Sequence, residues 1–106
     1  MFKLERHAVD VEHKGETTRL YARELGYVHF RELSTGKYPE PRWQHVMEAV
    51  TMASIEGEDG RPAFTPETWR GVPRGPVEAL VKAAWKAQGV DVDKAEEPGA
   101  ATEGNV

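Results

Sequence analysis

Cysteine is absent from the 106 residues. That removes disulfide frameworks, thiolate metal sites and cysteine nucleophiles together, and it fits a reducing compartment. No apolar run approaches the roughly 18 residues of a membrane-spanning helix. The opening Met1-Phe2-Lys3-Leu4-Glu5-Arg6-His7 also lacks the apolar stretch of a secretory signal. The expectation is a protein that stays where it is made, with no membrane partner. Excess charge is missing from the first 90 residues, where thirteen acids meet thirteen bases. A balanced body has no basic face to gather nucleic acid. The net charge of -4 resides instead in residues 91–106, where Asp91, Asp93, Glu96, Glu97 and Glu103 face only Lys94.

What is present suits one small domain over residues 1–90. Residues 2–23 read as a β-hairpin. Ala8, Val9 and Val11 begin an apolar alternation, Glu12-His13-Lys14-Gly15-Glu16 interrupts it, and a Thr/Leu/Tyr-rich run follows. An isolated hairpin is barely stable, so it must pack on something. Helical periods come next. Leu25, Val28 and Leu33, with Tyr27 and Phe30, suit a helix over about 25–34, closed at Gly36. Pro41 is placed to open a helix over 41–56 as its first residue. In it Trp43, Val46, Met47 and Val50 share one stripe and Ile55 continues the apolar character.

Asp59-Gly60-Arg61-Pro62 is a turn by its chemistry. Thr65-Pro66-Glu67 supplies an N-cap, a proline and a first-turn acid for a short helical turn over 66–70. The last helix runs over 76–88, with Val77, Leu80, Val81, Ala84 and Trp85 as its apolar face, Glu78 and Lys82 one turn apart outside, and Gly89 as its stop. Beyond Val92 no aromatic or large aliphatic residue occurs before Val106. Such a composition cannot offset its ordering entropy. The expected class is α+β: an N-terminal hairpin packed on about three helices, with residues 91–106 as a disordered acidic tail.

Catalytic and metal signatures are sparse. His29 with Glu32 and His45 with Glu48 stand three residues apart, a spacing that can put two ligands on one helix face. Carboxylate-bridged metal bundles instead place Glu before His and need acids on partner helices. No Gly-x-Ser-x-Gly elbow and no phosphate loop occurs. The expectation is a non-enzyme without metal or cofactor. Trp43, Trp69 and Trp85 each fall on a predicted helix, where core packing is the default. Tryptophan is also enriched at binding hot spots, and a domain this small has difficulty burying three indoles, so at least one should be partly exposed.

Several segments carry a resemblance. Met1-Phe2-Lys3-Leu4, the His13-Lys14-Gly15 turn, and Thr17-Thr18-Arg19-Leu20 leading into Arg23-Glu24-Leu25 resemble the start of the lambda-type tail assembly chaperones of long-tailed bacteriophages. Asp59-Gly60-Arg61-Pro62-Ala63-Phe64-Thr65 is similar to an Asp-Gly-x-Pro-x-Phe-Ser/Thr turn in that family. Ala87-Gln88-Gly89-Val90 stands where its members end a helix with Asn-Gly-Leu, and the acidic ending is similar too. The motifs are short and nearly span the chain, which is shorter through the middle than the lambda-type protein.

The resemblance implies a protein of the host bacterial cytoplasm, absent from the mature virion, that coats the tape measure protein before the tail tube polymerises around it. It also implies a longer product, made when ribosomes slip back one nucleotide, whose extension recruits tail tube subunits. Glu103-Gly104-Asn105 can be encoded as GAG-GGA-AAC, which contains a slippery heptamer, so Gly104 and Asn105 mark the candidate slip site. A flexible charged linker there would tether two binding functions. On this view Trp43, Met47, Trp69 and Trp85 are candidate partner-binding residues, with Trp43, Met47 and Trp85 nearest the contact, and self-association is a further candidate. The rival from another class is a small acidic anti-defence protein that inhibits a host nuclease. It requires a rigid acidic surface on the folded body.

Overall fold

The computed structural model describes residues 2–92. It is an α+β fold: a three-stranded antiparallel sheet carrying four helices on one face. Strands β1 (Arg6–His13) and β2 (Glu16–Arg23) form the N-terminal hairpin, with Val9 opposite Leu20 and His13 opposite Glu16. The turn is tighter than the sequence pattern suggested. It consists of Lys14 and Gly15 alone, at φ 53° and 83°, and Glu12, His13 and Glu16 belong to the strands. Two consecutive positive φ values match the right-handed twist of the flanking strands.

Side chains alternate across the sheet. His7, Val9, Val11 and, opposite them, Leu20 and Ala22 face the helices. Arg6, Asp10, Arg19 and Tyr21 lie on the other face, which no described element covers.

Helix α1 (Tyr27–Thr35) starts two residues later than its apolar pattern implied. Leu25 is buried ahead of it, its N–H donating to Gln88 Oε1 at 2.8 Å, and Gly26 is the N-cap. Helix α2 (Arg42–Ser54) has Pro41 at its N-cap rather than as its first residue, after a cis Glu40–Pro41 bond. Its buried face is Val46, Val50, Thr51 and Ser54.

The expected extension of this helix through Ile55 and Glu56 is overturned. These two residues form β3, paired with β2 through Ala22↔Ile55 and Tyr21↔Glu56. Apolar Ile55 fits either period, but a β-branched side chain packs well on a pleated surface, and here the sheet edge is adjacent.

Helix α3 (Pro66–Trp69) has its N-terminus closed by reciprocal bonds between Thr65 and Thr68. Helix α4 (Arg74–Ala87) begins two residues before Pro76. It ends at Gly89 (φ 84°), where Val90 N–H reaches Trp85 O and Gly89 N–H reaches Lys86 O, both at 2.9 Å. That is a Schellman cap, which needs a left-handed residue and hence glycine.

Helix α4 crosses β1 and β2, α2 lies beside α4, and α1 packs on α2. The core sits between: Val46, Val50, Ile55 and Leu80 are each at most 1% exposed. Each such burial stabilises the fold by about 1.5–3 kcal/mol relative to exposure. Val92, assigned to the tail by its surroundings in the sequence, is buried in this core at 7% exposure. The packed body therefore extends past residue 90. The rest of the proposed acidic tail, and Gly104 and Asn105 with it, lie outside the described residues.

A buried carboxylate closes the sheet at β3. Glu56 receives Arg6 Nε at 2.6 Å and Arg23 Nε at 3.4 Å, while the Arg6 guanidinium stacks 3.9 Å from the Tyr21 ring centroid. Arg6 also donates to the carbonyls of Gly57 and Glu58. Paired and hydrogen-bonded in this way, the charge can stay buried.

Candidate functional site

Helices α2 and α4 leave a shallow open groove of about 940 Å3 between their outer sides. Its apolar lining comes from Met47 on α2, from Val77, Ala79, Val81 and Ala83 on α4, and from Val92 beyond it. Its polar lining comes from Gln44 and Glu48 on α2 and from Glu78, Lys82 and Lys86 on α4. The sequence makes such a trough because α4 carries two faces. Leu80, Ala84 and Trp85 point into the core, while Ala79 and Ala83, four residues apart, leave a low surface that no bulky side chain fills. Glu78 is paired with Arg74 Nε at 3.1 Å, which offsets its charge beside the two lysines.

An aromatic cluster lies at the α2–α4 contact. Trp85 is 3% exposed; its ring meets Phe30 edge-on at 5.7 Å and Trp43 at 5.4 Å, and its Nε1–H donates to Met47 O at 3.3 Å. Trp43 itself is 53% exposed. Of the four candidate contact residues, the structure thus brings Trp43, Met47 and Trp85 together, and of these Met47 alone lines the groove. Trp85 and Trp69 are buried in the core, the default expectation for each indole. Trp69, at 7% exposure, packs edge-on to Phe64 at 5.3 Å, away from the others. Both indoles sit on the helix faces turned inward, so their area is already spent on packing. The expected partly exposed tryptophan is Trp43.

Ala79, Ala83 and Val92 were not singled out from the sequence. The available signal was the alternation of Ala79 and Ala83 with Lys82 and Lys86 on the outer side of α4, small residues between long ones.

Elsewhere, Asp10 and Arg19 pair on the open sheet face, with Arg19 Nε and Nη2 at 2.8 and 3.1 Å from the two carboxylate oxygens. The hydrogen bond from Arg19 holds the Asp10 carboxyl below the usual range, and Asp10 raises Arg19 in return. His45 stacks on Tyr38 at 6.4 Å and meets Pro41 O through Nδ1 at 3.0 Å. His29 is exposed. Among the described residues no three His, Cys, Asp or Glu side chains gather as a metal set, and no helix is long and apolar enough to cross a membrane. What the groove offers chemically is a binding surface: apolar side chains and an adaptable methionine set beside charges of both signs.

Comparison with protein-family models, curated proteins and solved structures finds no match to the chain.

Proposed function

We propose that this protein is a tail assembly chaperone of a long-tailed bacteriophage, which binds the tape measure protein and keeps it soluble until the tail tube assembles. The observation that carries the reading is the α2–α4 groove. Its lining sets Met47, Val77, Val81 and Val92 beside the charged Glu48, Glu78, Lys82 and Lys86, a mixed apolar and charged surface of the kind that takes one face of an amphipathic helix. A tape measure protein is a long helix whose apolar stripes otherwise associate with one another. The resemblance of the hairpin opening, the Asp59–Thr65 turn and the ending of α4 to the lambda-type family supports the same reading.

Function of this kind needs no catalytic group. Each contact is weak, because the chaperone must leave when tube subunits arrive, and many copies along one helix supply the avidity. The same reading places the protein in the host bacterial cytoplasm and outside the finished virion. It assigns a longer frameshifted product, slipping at Gly104-Asn105, to recruit the tail tube protein.

Co-expression with a tape measure protein from the same genome is the test. The full chain should move that protein into the soluble fraction. Ala79→Arg adds a long charged side chain to the lining from an exposed position without touching the core, and should reduce the effect while the circular dichroism spectrum stays unchanged. Equal solubility with and without the chain would sink the proposal.

A further inference from the structure

Strand β1 is the edge of the sheet, and along its outer side no described element pairs with it. Across a two-residue turn the flanking residues, His13 and Glu16, form a hydrogen-bonded pair, and such pairs recur at every second residue. Glu24 N–H donating to Glu5 O at 2.7 Å keeps that phase at the far end. The odd-numbered residues of β1 therefore bond to β2. The backbone N–H and C=O groups of Arg6, Ala8, Asp10 and Glu12 point away from it, and all four residues are exposed. Neither proline nor a bulge interrupts this edge, and Arg6, Asp10 and Glu12 are the charged residues along it. Charges of this kind blunt an edge against indiscriminate pairing and leave it open to a partner that matches them.

We infer that β1 pairs with β1 of a second copy, antiparallel, about a two-fold axis at Val9. The charges select this register. Outward-facing residues must lie opposite one another, which leaves only arrangements pairing even with even positions. The two such registers with the longest overlap within β1 centre on Val9 and on Asp10. The second sets Asp10 against Asp10, two like charges each offset on one side only by its own Arg19, and is the less favoured. The first sets Arg6 opposite Glu12 twice and Ala8 opposite Asp10 twice, and brings Val9 against Val9 on the helix side.

Arg6 is itself held to Glu56, Gly57 and Glu58 on the β3 side, so its attraction for the partner's Glu12 acts across the strand pair and not through a direct ion pair. The result is a continuous six-stranded sheet with the two α2–α4 grooves related by the same axis, an isologous contact that closes on itself. For a protein working through many weak contacts, a pair of grooves doubles the engagement per unit.

The full chain is examined by sedimentation over a wide concentration range, with amide hydrogen exchange read residue by residue. A dimer is expected, with the amides of Arg6, Ala8, Asp10 and Glu12 exchanging quickly when dilute and protected when concentrated. Ala8→Pro removes an outward N–H without costing an intramolecular bond, and should give a monomer with an unchanged spectrum. Glu12→Arg turns both opposite-charge pairs into like ones, and should weaken dimerisation about tenfold or more. A wild-type monomer at every concentration overturns the inference. So does a dimer indifferent to both variants, or protection of these amides in a monomer, which would mean that the chain covers its own edge.

Discussion

At the scale of single residues, the side chain that ties most elements together is Gln88. Its Nε2 lies 3.0 Å from Arg23 O at the end of β2, 2.9 Å from Ala84 O and 3.3 Å from Ser54 Oγ, and its Oε1 accepts the Leu25 N–H at 2.8 Å. Gln88→Ala leaves the buried Leu25 amide without its partner, so stability should fall by about 1–3 kcal/mol in urea denaturation. Gln88→Glu should be no milder, because a carboxylate then faces the Arg23 and Ala84 carbonyls.

Asp10 makes a contrasting case. Its folded pKa is lowered by Arg19, so its contribution is present above the unfolded Asp pKa and is lost as pH falls through the lowered folded value. Both partners are exposed, and exposed pairs contribute little. Arg19→Ala should return the Asp10 titration, followed by NMR, toward the ordinary Asp range, with the neutral-pH unfolding midpoint almost unmoved. A large loss of stability at neutral pH would show that the pair does more than its exposure allows.

At the scale of elements, the hairpin turn is where the sequence is least suited to its conformation. Lys14 holds φ 53° with a full side chain, where Asn or Gly is the usual choice. Lys14→Asn should therefore stabilise the protein by about 0.5–1 kcal/mol, since a left-handed residue other than Gly or Asn costs about 1–2 kcal/mol. A lower melting temperature in that variant would contradict the turn geometry.

Elements with a single clear period were legible before any coordinates. The alternation of Val9 and Val11 marks β1, the Thr65-Pro66-Glu67 signal marks α3, and the Val77–Trp85 stripe with Gly89 marks α4 and its end. Legibility failed where two periods coincide or where an environment decides. Ile55 continues the helical stripe of α2 and also fits a strand; only the neighbouring edge of β2 makes it β3. Trp43 is on the stripe of Val46 and Val50, but at its margin, and so is half exposed. Val92 follows a helix stop and precedes a polar run, and nothing local signals that it folds back into the core. The groove was hidden for a related reason. Small alanines between lysines carry no hydropathy signal, and a trough exists only once α2 lies beside α4.

At the scale of the whole molecule, the rival reading as an acidic inhibitor needs a rigid acidic surface. The described residues carry fourteen acids and thirteen bases, so three of the four excess negative charges fall beyond Val92. The described elements also share one apolar cluster: Trp69 and Trp85, although apart from each other, both belong to the core that contains Leu80 and Ile55. With a single core, the sheet and the helices should unfold together. Indole fluorescence and far-ultraviolet circular dichroism should then give coincident denaturation curves. Leu80 is 1% exposed and bridges α4 to the sheet face. Leu80→Ala should cost about 2–5 kcal/mol, shifting both curves by the same amount. For a domain whose total stability is of order 5–15 kcal/mol, that is a large fraction, and the variant should be far more prone to aggregate when warmed. Should the two probes separate in the wild type, with the hairpin melting apart from the helices, the sheet would be a satellite of a helical core. The groove would then have to be assigned to the helices alone.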